Sequence, residues 1–479
     1  MRARLAAIAA ALAAGCAHGP SPDAPTAPTS AQFKETPPGW IAAAPADTLD
    51  RGPWWTLFGD RVLDALVPKV QVSNQNIAAS AAAYAQARAL VREQRAALFP
   101  SLSLQGGVTR SGGGRSSASA ASPSSTTAGG RGAGTDYTLG LGASWEPDVW
   151  GRIGGAVSAA GARAQASAAD LAAATLSAQA EFVTDYLSLR ETDAELALLR
   201  TTIEGYQRSL QIAKNRYDVG VAPKSDLLQA QTQLANAQAD EAGLVRQRAQ
   251  LEHAMAMLAG DAPANFAVPP GDWNTTVVPA VPLGLPSALL QRRPDISAAE
   301  RRVAAANAQI GVARAAFFPS FTIDANAGQA AARFGDLFSA SATAWSLGIS
   351  LAQTLFDAGA RSARVDEARA AWEQSVAQYR QSVLSAFQNV EDQLVAARVL
   401  EQQQALRRLA SEAADQTEQQ VLNRYRAGQV SYTEVVTAQA TALSARRALA
   451  QVGVNRQTAA VALIQALGGG WDAGQMASR

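Results

Sequence analysis

Residues 215 to 231, NRYDVGVAPKSDLLQAQ, return as residues 423 to 439, NRYRAGQVSYTEVVTAQ. Asn215, Arg216, Tyr217, Gly220, Ala230 and Gln231 recur at an offset of 208 residues as Asn423, Arg424, Tyr425, Gly428, Ala438 and Gln439, and Asp226 recurs as the acid Glu434. So long a period belongs to a duplicated half, because solenoid repeats are roughly 20–50 residues long. The chain must therefore fold into two equivalent halves.

Each half contains an abrupt helix stop. A helical composition from about residue 60 to Leu98 ends at Phe99-Pro100-Ser101, and one starting near Pro286 ends at Phe318-Pro319-Ser320. Proline lacks the amide hydrogen that a continuing helix needs. Past each stop the period falls to two, with Leu102, Leu104, Gly106 and Val108 in the first half and Phe321, Ile323, Ala325 and Ala327 in the second. A Gly- and Ser-rich loop, residues 111–135, follows the first strand. Return strands then carry Leu139, Leu141, Ala143 and Trp145, or Trp345, Leu347, Ile349 and Leu351, alternating with small and polar residues.

Strands of roughly 10 residues with one apolar and one small or polar face suit a membrane barrel that has lipid outside and water within. A soluble hairpin over a core gives the same alternation, but two equivalent hairpins favour the membrane. Four strands cannot close a barrel alone, since lipid would face unpaired backbone at both edges. Membrane strands would oblige the protein to oligomerise.

Between hairpins run two long proline-free stretches. From Arg152 to about Arg216, Phe182, Leu189, Leu196, Ile203 and Leu210 repeat every seventh residue, with Leu199 and Tyr206 three later. From about Ala360 to Tyr425, Trp372, Val376, Tyr379, Val383, Phe387, Val390 and Leu394 alternate steps of three and four. These are coiled-coil seams. At 1.5 Å per residue, roughly 60 residues reach on the order of 90 Å. Each long helix ends at an NRY turn, where Gly220 or Gly428 permits reversal, and a second helix returns. Arg216, Tyr217 and Asp226, with Arg424, Tyr425, Glu434 and Thr437, are the candidate gate residues at these tips; Arg and Tyr at a helix end also cap carbonyls and cover apolar surface.

The N-terminus, MRARLAAIAAALAAGC, sets Arg2 and Arg4 before an apolar run too short for a permanent span and ends in Ala14-Gly15-Cys16. It is similar to a lipoprotein signal with Cys16 as the lipidated residue, although Ala13 stands where Leu is usual. Ala17 after the cysteine favours outer-membrane sorting by the same resemblance. A lone cysteine excludes an intrachain disulfide. The Pro-, Ser- and Thr-rich residues after it read as a lipid-anchored tether, extended or mobile, to about residue 53.

Together these features resemble the outer membrane factors of tripartite efflux systems, the TolC and OprM-like superfamily, and within it the NodT-type lipoproteins. LLQRRPDISAAE at 289 to 300, WEPDVWGR at 145 to 152 and LFDAGARSA from Leu355 are the most specific marks. Pro294 and Asp295 also read as a helix start. The resemblance implies a mainly α fold with membrane β. Four strands from each chain would enter a trimeric 12-stranded barrel, continued by an α-helical periplasmic tunnel. It implies a passive exit duct for drugs and xenobiotics, working with a periplasmic adaptor and an inner-membrane pump of the RND type. In OprM-like members an LDAQ motif puts an Asp at the second tip; here Val436, Thr437, Ala438 and Gln439 match it, so that acidic ring is missing and Glu434 and Asp226 are the nearest substitutes.

The domain organisation expected is a signal at 1–15, a tether at 16–53 and a first repeat at 54–270 with its hairpin at 101–146 and tip at 216–226. A linker at 271–285 precedes a second repeat at 286–470, with hairpin 320–355 and tip 424–434, and a tail at 471–479. The formal net charge of +1 leaves no basic footprint for nucleic acid. His18 and His253 are far apart in sequence, and no nucleophile elbow or phosphate-cradling loop is present, so neither an enzyme nor a metal or cofactor site is expected. A lipid-anchored coiled-coil adaptor, and channels for protein secretion or metal-ion efflux, are the alternatives.

Overall fold

Asn74 divides the first helical stretch. In the computed structural model, which describes residues 33–35, 53–111, 134–271, 277–279 and 292–469, that stretch is α1, Arg61–Ser73, followed by α2, Gln75–Ala96. Asn74 is in an extended conformation and its Oδ1 accepts from the amides of Asn76 and Ile77. An Asx cap of this kind restarts a helix rather than extending one. Strands β1, Ser101–Ser111, and β2, Gly134–Trp145, precede α3, Arg152–Asp218, and α4, Lys224–Ala259. The second half repeats the order as α5, Pro294–Ala315; β3, Ser320–Ala331; β4, Thr343–Ala352; α6, Ala360–Arg426; and α7, Tyr432–Ala466. Both helices before a hairpin end four residues ahead of Pro100 or Pro319, and Pro294 opens α5. Cys16, most of the loop at 111–135 and the start expected near Pro286 lie outside the described residues.

The chain divides into two units. One contains residues 86–164 and 301–376, including all four strands. They form a single antiparallel sheet in the order β1-β2-β3-β4. The pairing of β2 with β3, for example Ala143 opposite Ala325 and Trp145 opposite Ile323, joins the two hairpins. Directly paired residues share a face. One face therefore carries Leu102, Leu104, Leu141, Ile323, Leu347 and Ile349, while the other carries Ser103, Gly142, Ser144, Asp324, Asn326 and Ser350. Ser144 donates to Asp324 at 2.8 Å on the polar side. Leu102 is 69% exposed and Ile349 74%, so the apolar face has no cover among the described residues.

The two motifs at the strand ends prove to be helix starts. In WEPDVWGR, Asp148 accepts from the amides of Ile153 and Gly154 at 2.9 and 2.6 Å, and Arg152 pairs with Glu146. Trp150 stacks on Phe318 and donates to the Pro319 carbonyl at 2.7 Å, which fixes the first helix start against the second stop. In LFDAGARSA, Asp357 accepts from the amides of Gly359 and Arg361 and from the Arg361 guanidinium, which holds the Asp357 carboxyl below the usual carboxylate range.

The other unit contains residues 25–85, 165–300 and 377–479, and its core joins Phe58, Leu63, Phe182, Tyr186, Leu189, Met255, Val390, Leu394 and Ile464. The heptad positions Phe182, Leu189, Leu196 and Ile203, with Leu199 and Tyr206, are all buried, as are Tyr379, Val383, Val390 and Leu394 of α6. The ends of the two return helices are closed in the same way. Asn74 donates to the Leu258 carbonyl at the end of α4, and Arg293 to the Ala466 carbonyl at the end of α7. The next glycines, Gly260 and Gly468, have φ of 72° and 95°, and a Cβ on either would overlap the carbonyl oxygen of Ser73 or Arg292. Asp295 holds the Arg293 fork at 2.6 and 3.0 Å, so the RPD motif joins the entry of the second repeat to its exit.

Three residues of the stretch read as a tether, Phe33–Glu35, are folded against α6. Among the described residues no helix is long and apolar enough to cross a membrane.

Candidate functional site

Two helical hairpins turn within the second unit, and their tips meet. Gly220 and Gly428, at φ of 76° and 75°, allow each turn to close, with Val221 donating to the Arg216 carbonyl and Gln429 to the Arg424 carbonyl at 2.9 Å. The next helix starts differently in the two halves. Lys224 follows Pro223, which cannot cap with a side chain, whereas Ser431 and Glu434 form a reciprocal capping box.

Between the tips lies a small apolar core of Ala213, Ala230, Tyr425, Tyr432 and Val435. The rings of Tyr425 and Tyr432 meet edge to face with centroids 5.4 Å apart. Arg216 reaches across from the first tip: its Nη1 donates to the Tyr425 carbonyl at 2.8 Å and its Cζ lies 4.7 Å from the centre of the Tyr425 ring. Its planar guanidinium can stack and donate together, which an ammonium cannot. The Tyr425 hydroxyl and Arg216 Nε are buried without a hydrogen-bond partner among the described residues. Burial pushes the Tyr432 phenol up to about 12 and raises that of Tyr425 as well, so both rings stay neutral. Thr433 approaches Gln229 at 3.5 Å, and buried Gln439 donates to Ser209 at 3.4 Å, adding two weak ties between the hairpins.

Of the tip residues singled out in the sequence, the structure brings Arg216 and Tyr425 into contact. Glu434 caps its own helix, Thr437 donates to the Thr433 carbonyl one turn back, and Asp226 sits in the first turn of α4 with Ser225 Oγ 3.5 Å away. Tyr217 is 39% exposed, and Arg424 is exposed with no side-chain partner among the described residues. Tyr432 is the residue that sequence comparison passed over. Its counterpart at the repeat offset is Lys224, so it leaves no mark in the repeat; its local signal is an aromatic placed seven after Tyr425.

The outer membrane efflux protein model matches residues 66–261 and 285–469. Across 97% of the chain and 95% of the relative, the sequence is 32% identical to the antibiotic efflux pump outer membrane protein ArpC of Pseudomonas putida. It is 29% identical to the cation efflux system protein CusC of Escherichia coli over 95% of this chain and 96% of that one. A solved membrane protein from Pseudomonas aeruginosa superposes with a TM-score of 0.84, at 29% identity, over 95% of this chain and 100% of that chain. Family model, relatives and fold agree with the resemblance drawn from the RPD, WGR and NRY segments, and the chain belongs to the outer membrane efflux protein family.

Proposed function

We propose that three copies of this chain form one exit duct of a tripartite efflux pump. The protein is a non-enzymatic outer membrane channel component of such pumps. The carrying observation is the four-stranded sheet: among the described residues its apolar face is bare and both edge strands, β1 and β4, lack an outer partner. Pairing β4 of one copy with β1 of the next would satisfy both edges, and three copies would close twelve strands. Strands of 10 to 12 residues are long enough for a tilted membrane crossing.

In this assembly the helices continue the duct into the periplasm, and the tips ring its inner mouth. The tie between Arg216 and Tyr425 holds the two hairpins of one chain together there, while exposed Arg424 and Tyr217 are available to a neighbouring copy or to a periplasmic adaptor. Cys16 would carry lipid in the outer membrane. An RND-type inner-membrane pump supplies the energy, and antibiotics and other small organic molecules are the expected cargo, in keeping with the likeness to ArpC.

The test is to purify the protein from outer membranes in mild detergent and measure oligomeric mass and single-channel conductance in a planar bilayer. A trimer with a small conductance supports the reading. A monomer that never inserts would overturn it in favour of a lipid-anchored adaptor.

A further inference from the structure

Phe33, Lys34 and Glu35 each make a separate contact with one face of α6. The Phe33 ring is buried in the core of its unit, which also holds Val390 and Leu394, and meets Phe387 edge to face at 6.5 Å. The Glu391 carboxylate accepts from two successive backbone amides, Lys34 at 2.7 Å and Glu35 at 3.0 Å. Arg398 donates to the Glu35 carboxylate at 2.7 Å. Phe387, Glu391 and Arg398 are separated by four and seven residues, which stacks them along one side of a helix. An aromatic socket, an acceptor for paired amides and a cation together read a specific tripeptide: aromatic, any residue, acid. Lys34, the unread middle residue, has a side chain 88% exposed.

We propose that this face of α6 is a docking site for Phe33-Lys34-Glu35, a clasp that holds the N-terminal strap of the chain. The consequence for the membrane rests on the reading of Cys16 as the lipidated residue. Cys16 and Phe33 are seventeen residue steps apart, and at no more than about 3.6 Å each these reach roughly 60 Å. A closed clasp therefore limits how far the lipid can stand from Glu391.

The experiment uses the full-length protein from outer membranes and endoproteinase Lys-C. The chain has four lysines, Lys34, Lys69, Lys214 and Lys224, so cleavage at Lys34 gives one N-terminal fragment that mass spectrometry can follow. The bond after Lys34 includes the Glu35 amide held by Glu391, and cutting requires the clasp to open. Phe33→Ala and Arg398→Glu should each raise the rate at Lys34 about tenfold or more, leaving Lys69 in α1 unchanged as the sign of an intact fold. The charge swap Glu35→Arg with Arg398→Glu should restore protection, and it adds no Lys-C site. If the wild type is cut as fast as Phe33→Ala, or the swap as fast as Arg398→Glu, the clasp is refuted. The lipid reading is tested apart from this, because the fragment mass shows whether Cys16 carries acyl chains at any cleavage rate.

Discussion

Arg216 donates to the backbone carbonyl of Tyr425 at 2.8 Å and lies over the ring of the same residue, a double contact between two residues 209 apart, one on each tip. The contact is asymmetric. Arg424, which is the repeat equivalent of Arg216, is exposed and without a side-chain partner among the described residues. Removing Arg216 should therefore loosen the pair of hairpins in a way that removing Arg424 does not. A hydrogen bond from a charged donor combined with ring stacking amounts to about 2–4 kcal/mol. Arg216→Ala is expected to raise single-channel conductance in planar bilayers, with Arg216→Lys intermediate because a lysine cannot stack its plane on the ring. Equal conductance of Arg216→Ala and wild type would remove this tie from the gate.

The two sheet faces make opposite predictions. Ile349 pairs with Ile323 on the bare apolar side, and Ser350 pairs with Thr322 on the polar one. A lysine facing lipid near the midplane costs about 2–4 kcal/mol, whereas a lumenal lysine is tolerated. Ile349→Lys should strongly reduce the trimer recovered from outer membranes, while Ser350→Lys should leave recovery near wild type and alter ion selectivity. Comparable recovery of the two variants would contradict the assignment of faces.

The recurring residues made the tips, helix ends and hairpins legible, because a period of two after a proline stop and a period of seven before a glycine turn are local signals. Trp145, Leu347 and the seam residues Phe182 and Leu189 could be placed on their faces from spacing alone. Partnerships across the chain left no such trace. Nothing in the spacing of Ala143 and Ala325 announces that β2 pairs with β3, and Asn74 within an otherwise helical composition conceals the cap that splits α1 from α2. Tyr432 and Phe33 were missed for a related reason. Phe33 meets Phe387, far away in sequence, and Tyr432 has Lys224 at its repeat position, so neither recurs in the other half.

Glu191 on α3 gives a pH dependence. Burial, reinforced by the Glu195 charge, pushes its carboxyl from 4.5 to about 7, against the lowering effect of a hydrogen bond with Gln451. The folded protein thus favours the protonated acid. The associated stability is fully present below pH 4.5 and is lost as the pH rises through about 7. Glu191→Gln keeps the shape and removes the charge, so its Tm should equal that of wild type in acid and exceed it at about pH 8. Asp185, pushed to about 6 by burial and by Glu181, should show the same trend as Asp185→Asn, starting lower. A Tm difference independent of pH would mean that these carboxyls are not the cause.

Two glycines in one helical hairpin should respond oppositely to the same substitution. Gly243 lies inside α4, and a Cβ there would meet nothing within 4 Å. Gly243→Ala removes backbone freedom from the unfolded chain and should stabilise by about 0.5–1 kcal/mol. Gly260, at the end of the same helix, has φ of 72° and packs directly against the Ser73 carbonyl. Gly260→Ala must both strain the backbone and displace Ser73, which carries Asn74 and its cap on the Leu258 carbonyl with it. A loss of about 2–4 kcal/mol is expected from strain and the broken cap together. Denaturant midpoints of the two detergent-solubilised variants, measured side by side, separate the cases: Gly260→Ala should fall well below wild type and Gly243→Ala should not. If both move together, the junction between Gly260 and Ser73 is not what holds the end of the first repeat to its beginning.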